Sequence, residues 1–434
     1  MQSEARLSAA RLALGISFVL AGCGLPSQMF EKRSCDDAKW NDWTPQIEAS
    51  TGNAVVAWGC RGNSGTTIQV IDNAGSTATL ASVERATIAI SRDGRYAAYS
   101  ARPSGGTFLY DFQSRSTEQV TDGSSVDGVA KDETWPTLAF DANDDLVWIS
   151  EGPGDTSGKT PSLVFKRTRA GEITKVAKFD EIATAVLSPN GKILALAAAQ
   201  HRGQGFSLWL LDLTSAAVRA IWDAGDIQYI RWTSDSGGFL EAKNLMSDGR
   251  PARTRPPTAA DYFKQYHLLP GSVFSWDGSA AKPIRLEVGG QEAGNIAVSP
   301  SGSDLAVTGW RDNQAGPLRS NLWLVDLETR ATRNLTPDQQ AGDGQLFSPG
   351  GSMLLYGIES SLLLWDFKSH RIISVNPRGS WAAWDLDTSI AWRPDESFYF
   401  FSNMTDVHHA NTIGRLALWL RKPDGTTRLV STRP

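Results

Sequence analysis

The feature that most constrains this chain is a short hairpin pattern that recurs along its length. One copy, "AVSPSGSDLAVTGW" at residues 297–310, is an apolar run, a polar turn and a second apolar run. Eight copies align, at steps of 42, 48, 49, 45, 66, 49 and 45 residues. A chain of 434 residues holds two domains or a repeat array, and this period favours the array. The turn positions taken as equivalent are Gly52, Gly94, Ala142, Gly191, Ser236, Gly302, Gly351 and Glu396.

Each hairpin is followed by a third apolar run, such as "FSLWLLDL" or "NLWLVDL", and by a fourth after a further turn. Four short strands in 40 to 50 residues are typical of a propeller blade. We therefore predict an all-β, eight-bladed β-propeller of four-stranded antiparallel blades. Seven blades, with a degenerate first copy at "ASTGNAVVAWGC", is the alternative.

Tryptophans in the third runs are expected to fill the space between blades, because a four-stranded sheet cannot bury both of its faces alone. Glycine and asparagine in the turns suit the positive φ angles of tight hairpins. The segment "DANDD", residues 141–145, has alternating oxygens but lacks the glycine of a calcium loop, so we interpret it as a hairpin turn. The tryptophans concerned are Trp209, Trp323, Trp365 and Trp419.

The turns "SPNGK", "SPSGS", "SPGGS", "RPDES" and "SRDGR", each set between apolar runs, resemble the repeats of TolB-type bacterial propellers. The resemblance spans about residues 43–431 and implies the propeller fold more than any one activity. Members of that family carry a separate amino-terminal α/β domain, for which residues 24–42 leave no room.

The first 22 residues read as a lipoprotein signal peptide. Arg6 and Arg11 lie before the apolar stretch "LALGISFVLAG". The segment "LAGC", which ends at Cys23, resembles a bacterial lipobox. We expect cleavage before Cys23, acylation of its sulfur, a lipid-anchored linker at 23–42 and a propeller domain at 43–434. Gly24 is not the aspartate linked to inner-membrane retention, so in a host with two membranes the expected location is the outer membrane, facing the periplasm.

Export also changes the meaning of the two remaining cysteines, Cys35 in the linker and Cys60 after "AVVAWG". An oxidising compartment favours a disulfide between them. That bond would tie the lipid tether to the first repeat. Two separate buried thiols are the alternative.

Charge and motifs argue against several function classes. The net charge of −5 provides no basic field for nucleic acid. The chain has no G-x-S-x-G elbow and no H-E-x-x-H motif, and we expect no cofactor and no catalytic residue. His201, His408 and His409 fall in comparable connections of repeats four and eight, and are candidate metal ligands near the propeller axis.

Connection lengths predict which face of the propeller binds a partner. The hairpin turns are short, whereas the connections between second and third strands and between blades are long, and both kinds of long connection lie on one face. The fifth repeat inserts about twenty residues there, rich in arginine, proline and aromatics, a mixture common at interfaces. The partner-binding candidates are Arg250, Arg253, Arg255, Tyr262, Phe263, Tyr266, Arg311, Trp381 and Trp384.

Together these features predict a noncatalytic, lipid-anchored scaffold of the cell envelope that binds an envelope protein through one propeller face. The membrane is reached only through the lipid anchor, and no nucleic-acid partner is expected. The alternative is a glycan or small-ligand lyase or hydrolase with its site at the mouth of the central channel.

Overall fold

Strand pairing accounts for the regular structure of the chain. The structure is a computed structural model, and its described part contains 34 β-strands. In that part no helix combines the length and apolar character needed to cross a membrane. The described residues are 45–59, 65–83, 85–102, 106–121, 138–152, 160–199, 206–222, 226–232, 238–243, 245–246, 268–269, 272–276, 284–286, 292–311, 319–329, 331–337, 341–358, 361–376, 389–404 and 413–432.

Four-stranded antiparallel sheets follow one another along the chain, and we number them in that order. Sheet 1 contains β1 (Gln46–Ala49), β2 (Ala54–Trp58), β3 (Thr66–Ile71) and β4 (Thr77–Val83). Sheet 2 contains β5 (Arg85–Ile90), β6 (Tyr96–Arg102), β7 (Gly106–Asp111) and β8 (Ser116–Gln119). Sheet 3 contains β9 (Leu138–Phe140), β10 (Leu146–Glu151), β11 (Ser162–Arg167) and β12 (Ile173–Phe179). Sheet 4 contains β13 (Glu181–Leu187), β14 (Ile193–Ala199), β15 (Ser207–Asp212) and β16 (Val218–Trp222).

The second half of the chain continues the series. Sheet 5 contains β17 (Asp226–Trp232), β18 (Gly238–Lys243), β21 (Ser272–Trp276) and β22 (Ile284–Leu286), and a ribbon of β19 (Leu245–Met246) and β20 (Leu268–Leu269) comes between its second and third strands. Sheet 6 contains β23 (Glu292–Val298), β24 (Asp304–Arg311), β25 (Arg319–Asp326) and β26 (Thr332–Asn334). Sheet 7 contains β27 (Ala341–Phe347), β28 (Met353–Ile358), β29 (Ser361–Asp366) and β30 (Arg371–Ser374). Sheet 8 contains β31 (Ile390–Trp392), β32 (Phe398–Met404), β33 (Ile413–Arg421) and β34 (Thr427–Thr432).

The prediction of an eight-bladed propeller is wrong: the fold is an all-β propeller with seven regular blades of four antiparallel strands. Seven sheets are uninterrupted blades of four consecutive strands, and sheet 5 departs from that pattern. The physical reason is that residues following β18 pair with one another in the ribbon, so the third strand of sheet 5 begins only at Ser272. The irregular copy is therefore the fifth, and the first copy, which the sequence made the weakest, forms the complete sheet 1.

The first strand of each sheet lies innermost. β1 contacts β5 of sheet 2 and β31 of sheet 8, and the same contact between first strands joins sheets 2 and 3, 4 and 5, 5 and 6, and 6 and 7. The contact between β1 and β31 brings the two ends of the series together. At this junction Arg393 donates from Nη2 to the carbonyl of Thr51 at 2.9 Å. Sheets 8 and 1 each keep their own four strands, so side-chain packing and a few hydrogen bonds close the ring.

Apolar side chains fill the spaces between neighbouring sheets. Trp209 packs between sheets 3 and 4, Trp365 between sheets 6 and 7, and Trp419 between sheets 7 and 8. The predicted role of these three tryptophans is confirmed. Trp323 lies on β25 but belongs to none of the apolar clusters of the described residues.

A buried serine and a glycine build the turn between the first and second strands of sheets 2, 4, 6 and 7. In sheet 4 the Gly191 N–H donates to the Ser188 carbonyl at 2.8 Å, and Gly191 has φ +71°. Glycine adopts this left-handed backbone without steric cost. In sheet 3 the residue that corresponds to Gly191 is Asp144, with φ +56°. The sequence alignment placed Ala142 at this position, which was wrong by two residues.

Gly191→Ala is expected to destabilise the fold by about 3 kcal/mol. An alanine at positive φ costs about 1–2 kcal/mol, and here its Cβ would also lie 2.5 Å from the backbone nitrogen of Ala142 in the neighbouring turn. Urea unfolding followed by tryptophan fluorescence measures the loss.

The matched control is Gly351→Ala. Gly351 has φ +72°, but an added Cβ would meet only the Pro300 side chain, at 3.4 Å. This variant should lose about 1–2 kcal/mol, the conformational cost alone. Equal losses in the two variants would contradict the backbone clash between sheets 3 and 4.

Candidate functional site

Most residues proposed from the sequence fall outside the described residues. Arg311 ends β24, where its backbone pairs with Arg319, and only this backbone placement is described. The others are Cys23, Cys35, Cys60, His201, Arg250, Arg253, Arg255, Tyr262, Phe263, Tyr266, Trp381, Trp384, His408 and His409. Their assignments remain predictions.

The two faces of the propeller differ in how their strands are joined. Because the strands of each sheet are antiparallel and neighbours in sequence, the first-to-second and third-to-fourth turns share one face, which we call the turn face. The second-to-third and sheet-to-sheet connections leave from the opposite face, which we call the loop face. The strand ends that flank residues 244–271, 312–318 and 375–389 lie on the loop face.

Hydrogen bonds between successive turns stiffen the turn face. The Asn53 side chain donates to the Gly94 carbonyl at 2.8 Å, and the backbone N–H of Arg92 donates to Asp144 Oδ1 at 2.8 Å. The Ala142 N–H donates to the Gly191 carbonyl at 3.0 Å. These contacts connect sheets 1 to 4 in sequence and give this face little freedom to rearrange.

Glu48 on β1 is a carboxylate beside the axis of the ring. β1 lies between β5 of sheet 2 and β31 of sheet 8, with β2 along one edge. The Glu48 side chain is accessible to solvent, although protein atoms surround it closely. Burial raises the pKa of Glu48 from 4.5 to about 7.

Glu48→Gln is expected to flatten the dependence of stability on pH. Since the folded-state pKa of Glu48 is raised, its contribution is fully present below the unfolded value near 4.5 and is lost as pH rises through about 7. The glutamine variant should therefore gain stability relative to the native chain at pH 8 and gain little at pH 4. Thermal unfolding at both pH values measures the difference, and a parallel pH dependence for both proteins would show that the Glu48 carboxyl is ordinarily hydrated.

Arg231 on β17 is a cationic group of the inner strands. Its Nε donates to the Ile296 carbonyl on β23 at 3.2 Å, and its Nη1 donates to the Ile230 carbonyl at 3.2 Å. The guanidinium thus joins the inner strands of sheets 5 and 6. Glu48 and Arg231 each stand two positions before the first turn residue of their repeat, where four other repeats have alanine: Ala89, Ala139, Ala297 and Ala391.

A cleft of about 180 Å³ opens on the turn face between sheets 2 and 3. Its floor is apolar and is formed by Tyr96, Leu109, Phe140 and Leu146. The last three of these side chains are almost fully buried, so packing fixes the floor and only a small part of each side chain faces the cleft.

Two arginines of sheet 3 form the walls of this cleft. On the inner side, Arg169 Nη2 lies 2.7 Å from Asp93 Oδ2 of sheet 2 and also bonds Asp144. On the outer side, Arg167 Nη2 lies 2.8 Å from both carboxylate oxygens of Glu118 on β8. The cleft is therefore bracketed by ion pairs that cross from one sheet to the next.

Two acidic groups near the cleft, Asp93 and Asp111, are held in their charged forms. Partial burial opposes ionisation of Asp93, but hydrogen bonds from the Arg95 backbone, Ser91 and Arg169 outweigh it and lower its pKa. For Asp111, burial is likewise outweighed by the Arg95 guanidinium and two backbone N–H groups, and its pKa is lowered. Both carboxylates are ionised at neutral pH.

Behind the cleft, Lys166 sits between two carboxylates. Its Nζ lies 2.7 Å from Asp141 and 3.1 Å from Asp145, and none of the three side chains is more than 13% exposed. Burial alone would lower the pKa of Lys166, but the two carboxylates outweigh it and raise the pKa. The hairpin-turn interpretation of residues 141–145 is confirmed, because the Asp144 N–H closes a turn on the Asp141 carbonyl.

Among the described residues, no group of three or more histidine, cysteine, aspartate or glutamate side chains is placed to hold a metal ion. The histidine candidates for such a site lie outside those residues, so that assignment remains a prediction.

Solved structures of low sequence identity share this fold. The propeller domain of the Trilobed protease from Pyrococcus furiosus is 12% identical, covering 91% of this chain and 100% of that one, with a TM-score of 0.52. Porphyromonas gingivalis dipeptidyl peptidase 4 is 11% identical with a TM-score of 0.52, and 80% of this chain matches about half, 53%, of that one. TolB from Acinetobacter baumannii is 13% identical, covering 76% of this chain and 78% of that one, with a TM-score of 0.38.

No family model and no curated protein matches the chain. The two structures with a TM-score of 0.52 support the propeller fold, and no specific TolB-type family is shown.

Sequence reasoning did not identify Glu48 or the cleft. A signal for Glu48 was present, since it replaces alanine at the position described above. For the cleft, the ion pair of Glu118 and Arg167 joins residues 49 apart on different sheets, and nothing in either repeat alone indicates the pairing.

Proposed function

We propose that the protein is a noncatalytic scaffold of the cell envelope that binds a protein partner through the loop face. The observation that carries the proposal is the difference between the two faces. The turn face is made of short turns bonded to one another, whereas the long connections leave from the loop face. Variable segments on a rigid framework are the usual place for recognition.

The long insertion of the fifth repeat is the proposed centre of the binding surface. The ribbon of β19 and β20 marks its two ends, and residues 247–267 between them carry the arginine and aromatic side chains predicted to contact the partner. Arginine and aromatic residues contribute most of the binding energy at many protein interfaces.

The lipid anchor belongs to the same proposal. Acylation at Cys23 would hold the propeller at a membrane, with residues 24–42 as a tether. Cys23→Ser should release the protein from the membrane fraction, and mass spectrometry of the native amino-terminal peptide should show acylated cysteine. A protein that stays in the membrane fraction after this substitution would contradict the anchor.

The partner surface is tested by photo-crosslinking in cells from single sites on each face. A variant with residues 247–264 replaced by a short Gly-Ser link keeps the ribbon strands and should lose crosslinks to the partner. Arg115→Glu is the control, since Arg115 is largely exposed on the turn face. Undiminished crosslinking in the replacement variant, or crosslinks only from the turn face, would overturn the proposal.

The alternative function is a glycan or small-ligand lyase or hydrolase with its site at the channel. Glu48 favours it, because carboxyl groups with a pKa near neutrality act as general acids, and strongly shifted pKa values cluster at functional sites. The fold is compatible with either function. Turnover of cell-wall or plant-type oligosaccharides that disappears in Glu48→Gln would support the enzyme and contradict the scaffold.

A further inference from the structure

We propose that the cleft between sheets 2 and 3 binds one ring of a neutral saccharide. The site lies on the turn face, away from the proposed partner surface and from the channel. The inference does not depend on the proposed function.

The size of the cleft limits the ligand. Pockets for drug-sized ligands are typically about 300–1,000 Å³, and this cleft has about 180 Å³. A single ring fits this volume, with the rest of an oligosaccharide extending into solvent.

The floor provides an apolar contact for one face of the ring. Phe140 and Leu146 of sheet 3 lie beside Tyr96 and Leu109 of sheet 2. The C–H groups of a pyranose ring form an apolar face that packs on such a surface and gains the dispersion and burial energy of other apolar contacts.

The walls provide donors and acceptors for hydroxyl groups. Arg169 bonds both of its carboxylate partners through Nη2, which leaves Nε and Nη1 as donors. Carboxylate oxygens of Asp111, Glu118 and Asp144 retain lone pairs as acceptors. A hydroxyl group both donates and accepts, so neighbouring hydroxyls match this mixed set. Ser114, Ser116 and Thr168 add hydroxyls at the rim.

Charge distinguishes a neutral ligand from an ionic one. The charged residues that line the cleft are three acids and two arginines, a net charge of −1, which disfavours a phosphate or carboxylate ligand. A cationic ligand would have to compete with the arginines, because Arg95, Arg167 and Arg169 already pair with the acids. A polyhydroxyl ligand can form hydrogen bonds with these arginines and carboxylates without breaking their ion pairs.

The junction of sheets 7 and 8 shows that this arrangement is not a general property of the repeat. Arg421 occupies the place of Arg167, one residue before a turn closed by a glycine of positive φ, at Gly425 and Gly171 respectively. Arg421 Nη1 donates to the Gly425 carbonyl of its own turn at 3.1 Å. Arg167 instead reaches across to sheet 2, so the bracketed cleft depends on Glu118.

Saturation-transfer NMR and calorimetry with a panel of neutral disaccharides, built from glucose, galactose, mannose and N-acetylglucosamine, test the site. We expect binding of at least one, with little dependence on salt. Ser116→Tyr, which fills the cleft and keeps the ion pairs, and Arg169→Gln should each weaken binding about tenfold or more. Arg421→Gln is the matched control and should bind within about twofold of the native chain.

Thermal unfolding of each variant separates loss of binding from loss of folding, and Ser116→Tyr keeps the test valid if Arg169→Gln is unstable. Absence of binding to every disaccharide overturns the proposal. Binding that Ser116→Tyr leaves unchanged places the sugar elsewhere and also overturns it. Salt-sensitive binding of a lysine-rich peptide at the cleft, with no sugar bound, would overturn it too and assign the cleft to a basic protein segment.

Discussion

Trp58→Ala is expected to destabilise the propeller by about 3–5 kcal/mol, the usual cost of removing a large buried aromatic side chain. Trp58 is fully buried between sheets 1 and 8, where its ring lies 5.1 Å from that of Phe401, edge to face. Its Nε1 also donates to Gln69 Oε1 at 2.7 Å, so the substitution leaves a buried amide oxygen with one donor fewer. Chemical unfolding measures the loss.

The position of Trp58 also predicts where the variant should open. Because sheets 1 and 8 share no strand, the variant should open at this junction, and limited proteolysis should cut there first. Val218→Ala is the control, since Val218 is 43% exposed on the outermost strand of sheet 4 and should cost less than about 0.5 kcal/mol. A loss below about 1 kcal/mol for Trp58→Ala would show that packing between sheets 8 and 1 does not close the ring.

Lys166→Met is expected to cost about 3–5 kcal/mol, because it leaves Asp141 and Asp145 buried without their cation. In the native chain the raised pKa of Lys166 means that its contribution is complete below the unfolded value near 10.4 and is lost only as pH rises through the folded value. Unfolding of both proteins measured from pH 7 to pH 12 tests both expectations.

An exposed ion pair gives the comparison for Lys166. Arg115 pairs with Asp72 at 3.4 Å, and its side chain is 74% exposed. Arg115→Gln should change stability by less than about 1 kcal/mol at any pH in this range. Similar effects from the two substitutions would contradict the view that burial of the Lys166 triad makes it important.

The sequence predicted the strands well because each sheet is built from neighbouring segments. Hydrophobic runs on either side of "SPNG" give β13 and β14 directly, and local pairing leaves no choice of partner. The prediction failed where non-local structure decides. Residues after β18 pair with themselves as a ribbon, and Asp144 rather than Ala142 takes the left-handed turn position.

The candidate sites show the same limit. A periodic pattern identifies which residues lie on an inner strand, but the burial that raises the pKa of Glu48 depends on the strands brought around it by ring closure. The wall between Glu118 and Arg167 likewise depends on how sheets 2 and 3 face each other.

The absence of strand exchange between sheets 8 and 1 has a consequence for the order of folding. Strand pairs in the described sheets join segments that are close in sequence, and such local contacts form quickly. The bond from Arg393 to Thr51 spans 342 residues, and that from Ser431 to Gln69 spans 362. Each sheet can therefore pack against the preceding one during synthesis. Among the described sheets, the joining of sheet 8 to sheet 1 spans the longest stretch of chain, and it can occur only after β34 has been synthesised.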